Sequence, residues 1–168
     1  MGENQVVTWP DGKVYKGSVK LGQAIGSGSI VFPDGSRYKG QVWDNAANGQ
    51  GFLSWKDGKT YMGMMKSDRA EGQGRIGWPD GKVYEGYVKN GKAEGRGICV
   101  WPNGVKLKGT FKKGTLTGKG TLICVDGKTY SNFESTMLNH IMSGKINCSQ
   151  ISIPYGTMTL PDGTLYKG

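Results

Sequence analysis

Apolar and polar residues alternate along most of this chain, and the alternation restarts at a fixed interval. If Pro10-Asp11-Gly12 is a three-residue loop, Trp9 faces Lys13 and Val7 faces Tyr15. Val7, Trp9, Tyr15, Gly17 and Val19 then share one face, because side chains on a strand repeat every two residues. The same register gives Ile30, Phe32, Tyr38 and Val42; then Leu53, Trp55, Tyr61 and Met65; then Ile76, Trp78, Tyr84 and Val88; then Cys99, Trp101, Leu107 and Phe111. It weakens to Leu122, Cys124 and Tyr130. The opposite parity holds Thr8, Lys16, Ser18, Arg37, Lys39, Gln41, Thr60, Lys66, Glu85, Lys89, Lys106, Lys108, Thr110 and Lys112, which is polar and mostly basic. This is the alternation of antiparallel hairpins with one solvated side.

The loops set the period. Asp-Gly occurs at Asp11-Gly12, Asp34-Gly35, Asp57-Gly58, Asp80-Gly81 and Asp126-Gly127, with Asn103-Gly104 in register, a spacing of 23 residues each time. Proline fixes φ for the first turn position, Asp tolerates the second, and Gly takes the positive φ that closes the turn. A fixed period of this length predicts an array of like units. Two more glycine positions recur. Gly17, Gly40, Gly63, Gly86 and Gly109 lie two residues after the aromatic position. They leave slots on the apolar face, which an aromatic ring of a neighbouring repeat is expected to cover. Gly-x-Gly pairs at Gly26/Gly28, Gly49/Gly51, Gly72/Gly74, Gly95/Gly97 and Gly118/Gly120 are expected to end the loop joining one hairpin to the next. They lack the strand-to-helix context of a phosphate-binding fingerprint.

The pattern breaks after Tyr130. Met137, Leu138, Ile141 and Met142 recur at helical spacing between Asn132 and Gly144, which predicts a short helix or ordered loop. A last copy, Asp162-Gly163, follows Asp126 by 36 residues. The chain therefore divides into an array of six hairpins over 1–130, an insert over 131–155, and a partial seventh repeat over 156–168.

Tyr-x-Gly, Gly-x-Gly and Asp-Gly repeating every 23 residues resemble the MORN repeat (membrane occupation and recognition nexus), over residues 6–130 and again over 156–168. The resemblance, with the alternation, implies an all-β fold: an elongated single-layer twisted antiparallel sheet of stacked hairpins, with a short irregular or helical insert near the C-terminus. It implies proteins of cilia, flagella, cytoskeletons and membrane junctions, and self-associating dimers. It also implies anionic phospholipid binding. Some members are enzymes, with the catalytic domain outside the repeats, and this chain has no room for one.

Composition alters the picture in three ways. Gly is 30 of 168 residues and hydrophobic residues are 36%, so stability is expected from stacked neighbours and not from one large core. The net charge is +9, and six of the thirteen acidic residues are turn aspartates, so the strands are more basic still. That favours an anionic partner, whether membrane, acidic protein surface or, ranked last, nucleic acid. Cys99, Cys124 and Cys148 are odd in number and lack CxxC spacing, so they are expected to be small buried hydrophobes in a reducing compartment. Met1–Gln5 does not resemble a signal peptide, and no apolar run approaches ~18 residues. The expected setting is cytoplasmic, at the cytoskeleton, a cilium or a membrane surface.

Candidate chemistry is sparse. His140 is the single histidine and has no nucleophile–base partner in view. Turn chemistry accounts for the aspartates, and no metal-ligand spacing occurs. No catalytic residue, cofactor or metal is expected. The leading reading is a non-catalytic scaffold for protein partners, anchored by Trp9, Tyr15, Tyr38, Trp55, Tyr61, Trp78, Tyr84 and Trp101. The alternative is a membrane-tethering module that binds anionic phospholipid through Arg96, Lys106, Lys108, Lys112, Lys113 and Lys119. A third reading is a regulatory fragment of a larger enzyme.

Overall fold

The structure, a computed structural model, describes residues 4–134, 148, 157–159 and 165–167. Its strands are β1 (Asn4–Thr8), β2 (Val14–Lys20), β3 (Gln23–Val31), β4 (Arg37–Trp43), β5 (Ala46–Ser54), β6 (Thr60–Lys66) and β7 (Arg69–Gly77), then β8 (Val83–Lys89), β9 (Lys92–Val100), β10 (Lys106–Lys112), β11 (Thr115–Ile123), β12 (Thr129–Glu134), β13 (Thr157–Thr159) and β14 (Leu165–Lys167). They follow chain order in an open sheet. The all-β hairpin architecture expected from the alternation is the one adopted. The chain forms two compact units, Met1–Pro79 with Val88–Lys92 and Asp80–Tyr87 with Ala93–Gly168. The helix expected around Met137–Met142 lies outside the described residues, as does His140, while Ser131–Glu134 complete β12.

Two kinds of hairpin alternate. In the first, the Trp9 amide donates to the Lys13 carbonyl and the Gly12 amide to the Trp9 carbonyl, both at 2.9 Å. The same pair of bonds closes the loops at Phe32–Ser36, Trp55–Lys59, Trp101–Val105 and Cys124–Lys128. Gly12 has φ +89°, as the closing residue of such a loop requires. The turn Asp or Asn accepts from the amide two residues on, as in Asp11 Oδ1 to Lys13 at 3.1 Å and Asp80 Oδ1 to Lys82 at 2.9 Å. The second kind joins successive repeats through two residues of positive φ: Leu21-Gly22, Asp44-Asn45, Ser67-Asp68, Asn90-Gly91 and Lys113-Gly114. This is the type I′ turn, whose twist matches that of the flanking strands.

The short second turn moves the Gly-x-Gly pair. It does not end a loop but lies inside a nine-residue strand, as Gly26 and Gly28 do in β3. Gly17 pairs with Gly28, but Val19 pairs next with Ala24, so β3 bulges between them. The first glycine of each pair sits in the bulge, with positive φ at Gly26, Gly49, Gly72 and Gly95. The second lies beneath a tyrosine ring. A Cβ at Gly28 would collide with Tyr15, one at Gly51 with Tyr38, one at Gly74 with Tyr61 and one at Gly97 with Tyr84. These rings reach across the connecting turn, as Tyr15 in β2 does to Gly28 in β3. Each ring also covers the glycine two residues after it, so the slots at Gly17, Gly40, Gly63 and Gly86 take the tyrosine of their own strand and not the expected ring of a neighbouring repeat. Its hydroxyl donates to the carbonyl one residue further: Tyr15 to Ser18, Tyr38 to Gln41, Tyr61 to Met64 and Tyr84 to Tyr87, at 2.6–2.8 Å. Where Leu107 replaces tyrosine, the Leu116 side chain fills the slot over Gly109.

Turns of neighbouring repeats also stack. Pro33 packs against Gly12, Pro79 against Gly58 and Pro102 against Gly81. At the other strand ends, Asn45 Oδ1 accepts from the Ala24 amide at 2.9 Å, and Asp68 Oδ1 from the Ala47 amide at 2.8 Å. Lys13 reaches over its own repeat's Trp9 ring, 4.7 Å from the centroid, to bond Asp68 Oδ2 at 2.6 Å and the Asn45 carbonyl at 3.1 Å. Its side chain is 11% exposed and that of Asp68 24%. Breaking a buried pair from one side strands the other charge. Asp68→Ala also removes the cap on the Ala47 amide. It is expected to lower stability by about 2–3 kcal/mol, discounted from the fully buried case for partial exposure. Lys13→Met, which keeps the apolar stem, should cost less. Urea unfolding of the two variants checks the order.

Candidate functional site

The two sides of the sheet differ in what they offer a ligand. Tyr15, Tyr38, Tyr61 and Tyr84 are buried on the apolar side, as are Ile30, Ile76, Leu53, Ala24, Ala47, Ala70 and Ala93. This corrects the expectation that the tyrosines anchor a partner. The glycine slots pull each ring flat against its own sheet, so no ring edge remains outside. Trp101 is buried as well, whereas Trp9, Trp55 and Trp78 are half-buried at the loop ends. Trp55 lies under the Gly91 turn and stacks on Lys59, whose Nζ is 4.2 Å from the ring centroid. Burial lowers the Lys59 pKa, with the nearby Asp57 carboxylate opposing the shift and Lys92 adding to it.

The solvent side departs from the polar, basic surface expected of it. In the first unit, Phe52 (42% exposed) pairs directly across the strands with Met62 (60%), and Met64 is 37% exposed beside them. Gln50 donates through Nε2 to the Met64 sulfur at 3.0 Å, and its amide donates to Gln41 Oε1 at 2.7 Å. Lys39 lies across from Phe52, and Arg75 across from Met62. Phe52, Met62 and Met64 all fall at solvent-face parity in the sequence, and that out-of-pattern placement was the signal available for them.

In the second unit the solvent side carries a trough of about 520 Å³. Its floor is the backbone of Gly86, Gly97 and Gly109, with Gly97 directly opposite Gly109. One wall is the row Ile98, Lys108 and Thr121, each opposite the next across the strands, and the other includes Arg96 opposite Thr110. Lys119 and Glu85 complete the lining. Three of the six basic-patch residues therefore converge on one cavity. Lys106 and Lys112 stand on the same face of β10, and Lys113 occupies the turn after it, where its amide donates to Glu94 at 2.9 Å. All six are exposed.

Two of the three cysteines depart from expectation. Cys124 and Cys148 form a disulfide, with Cα atoms 6.2 Å apart. Sequence spacing carried no such motif, because pairing depends on proximity in space, and these Cα atoms lie within disulfide reach. Cys99 is the free, buried one among the described residues, and burial pushes its thiol up to about 11, against the nearby Lys82 charge. A thiol so protonated is a poor nucleophile at neutral pH. Asp34 moves the other way, its carboxyl lowered by hydrogen bonds from the Ser36 hydroxyl and amide. Among the described residues, no group of three or more His, Cys, Asp or Glu side chains is placed to hold a metal ion. Nor is any described helix long and apolar enough to cross a membrane.

No curated protein matches the chain in sequence. Among solved structures, the chain is similar in fold to the TCP domain of Drosophila melanogaster SAS-4 (dCPAP), solved in complex with a proline-rich motif of Ana2 (dSTIL). The TM-score is 0.53 and identity 11%, covering 98% of this chain and 88% of that one. The TCP10 domain of Danio rerio CPAP gives a TM-score of 0.45 at 15% identity, over 96% of this chain and 81% of that one. The MORN repeat family model matches residues 15–37, 38–60, 61–83, 84–106 and 108–129. These five consecutive matches coincide with the alternating hairpins, four of them with tyrosine-covered glycines, and the chain belongs to the MORN repeat family.

Proposed function

We propose that this chain is a non-catalytic scaffold that holds protein partners against the solvent side of its sheet, within a cytoskeletal assembly. One observation carries the reading: Phe52, Met62 and Met64 cluster as exposed apolar side chains on the solvent side of the first unit, where Trp43 is exposed as well. Exposed apolar patches rimmed by polar groups mark interaction sites, and methionine adapts to varied partners. The Drosophila neighbour, which shares the fold, holds a proline-rich motif, which is consistent with an extended protein segment as partner. The test is proximity labelling in the native cell with the wild type and with a Phe52→Glu, Met62→Glu variant. Cytoskeletal proteins labelled by the wild type and lost from the variant are the expected result. Identical labelling by both sinks the assignment of this surface.

A second reading, anionic phospholipid binding, has its support in the six exposed cations of the second unit. Sedimentation with phosphatidylserine vesicles at low and high salt tests it.

A further inference from the structure

We propose that the glycine-floored trough of the second unit takes an extended peptide segment with carboxylates at alternate positions. This rests on the scaffold reading and names a partner class for a second surface. The cations are ordered, one to a strand: Arg96 on β9, Lys108 on β10 and Lys119 on β11. Arg96 and Lys108 stand one strand apart, about 4.8 Å, and two residues apart along the strands, about 6.8 Å, so they lie roughly 8 Å apart on opposite walls. An extended chain places same-side residues about 6.6–6.8 Å apart, so two carboxylates at i and i+2 fit within that span. Arg96 and Lys108 make no ion pair among the described residues, so their charge is available to a ligand. A carboxylate brought beside such cations forms charge-assisted, two-pronged contacts, with Arg96 supplying a planar fork.

The walls favour a peptide over a lipid surface. Thr110 and Thr121 offer hydroxyls, and Ile98 offers an apolar contact. These groups recognise a chain that alternates polar and apolar atoms. A planar bilayer would instead reward apolar side chains projecting beyond the cations. The large apolar side chains that this unit exposes among the described residues are Tyr87 and Val125, and neither lines the trough.

Fluorescence anisotropy with a labelled peptide of alternating Glu and Ser tests the inference, using the full chain. The Glu peptide is expected to bind, and a peptide with Gln in place of Glu is not. Added salt should weaken the complex, and Arg96→Glu with Lys108→Glu should weaken it roughly tenfold or more. Both positions are exposed, and near-UV circular dichroism verifies that the variant stays folded. Equal binding of the Glu and Gln peptides, or binding untouched by the double variant, overturns the proposal. So does capture of phosphatidylserine vesicles without capture of the peptide, which assigns the cations to a membrane. The Phe52→Glu, Met62→Glu variant separates the two readings. Failure of the Glu peptide with labelling through Phe52 and Met62 intact removes this inference and leaves the scaffold standing. Failure of both removes both.

Discussion

Tyr61→Ala is expected to lower the unfolding free energy by about 4–5 kcal/mol, at the top of the range for removing a buried aromatic ring. Tyr61 is 0% exposed, and its ring is the lid over both Gly63 and Gly74. Neither glycine has a side chain that could move into the vacated volume, and the floor is main chain fixed by the ladder between β6 and β7. Such a cavity collapses poorly, and poor collapse is what makes large-to-small changes expensive. The hydroxyl adds to the loss, because the Met64 carbonyl gives up a 2.6 Å bond in a half-enclosed position. Tyr61→Phe isolates that part and should cost only about 1 kcal/mol. Urea unfolding of the three proteins provides the measurement. A loss below roughly 2 kcal/mol for Tyr61→Ala would mean that the strands close over the gap, contrary to the rigidity argued above.

The same rings make the fold sensitive to alkali. Burial raises the phenols of Tyr38, Tyr61 and Tyr84 to about 12, from an ordinary value of 10.0, with the Asp68 carboxylate adding to the effect at Tyr38. Tyr15 is raised for the same reason. Between pH 10 and 12 the unfolded chain has lost these protons and the folded chain keeps them. The folded state thus binds more protons, and stability must fall as pH rises through that window. A phenol held at about 12 in the folded chain and 10.0 in the unfolded one links about 2–3 kcal/mol of stability to its proton. Stability should therefore begin to fall near pH 9, where the buried Cys99 thiol is held up to about 11 from 9.0, and fall more steeply between pH 10 and 12 as the phenols follow. Circular dichroism and phenolate absorbance should change together. Gradual phenolate absorbance with intact ellipticity would show that the rings ionise in place.

Much of this fold was legible because its rules are local. Pro10-Asp11-Gly12 names its own turn, and period-two alternation from Val7 to Val19 names the buried face. The apolar positions read from parity, Ile30, Leu53, Ile76, Leu107 and Leu122 among them, are buried in the structure. What escaped depends on more than one strand. Nothing local at Gly28 says that the ring above it is Tyr15, because the bulge that sets this pairing is a relation between β2 and β3. The Lys13–Asp68 bond joins residues 55 apart and the Cys124–Cys148 pair residues 24 apart, so neither is set by a local pattern. Phe52, Met62 and Met64 were visible as letters out of phase, yet only pairing of β5 with β6 shows that they form one surface. The cationic cluster was readable as composition. Its convergence on a glycine floor was not.

A stacked array is usually described as a row of units coupled to adjacent units alone, so that it can fray one hairpin at a time. Lys13 alters that arithmetic. By gripping Asn45 and Asp68, it links the first hairpin to turns two and three connections further along, bypassing what lies between. A load applied at the N-terminal end of the first unit is then shared by about three hairpins before any yields. The mechanical unit of this stretch is longer than its 23-residue sequence unit.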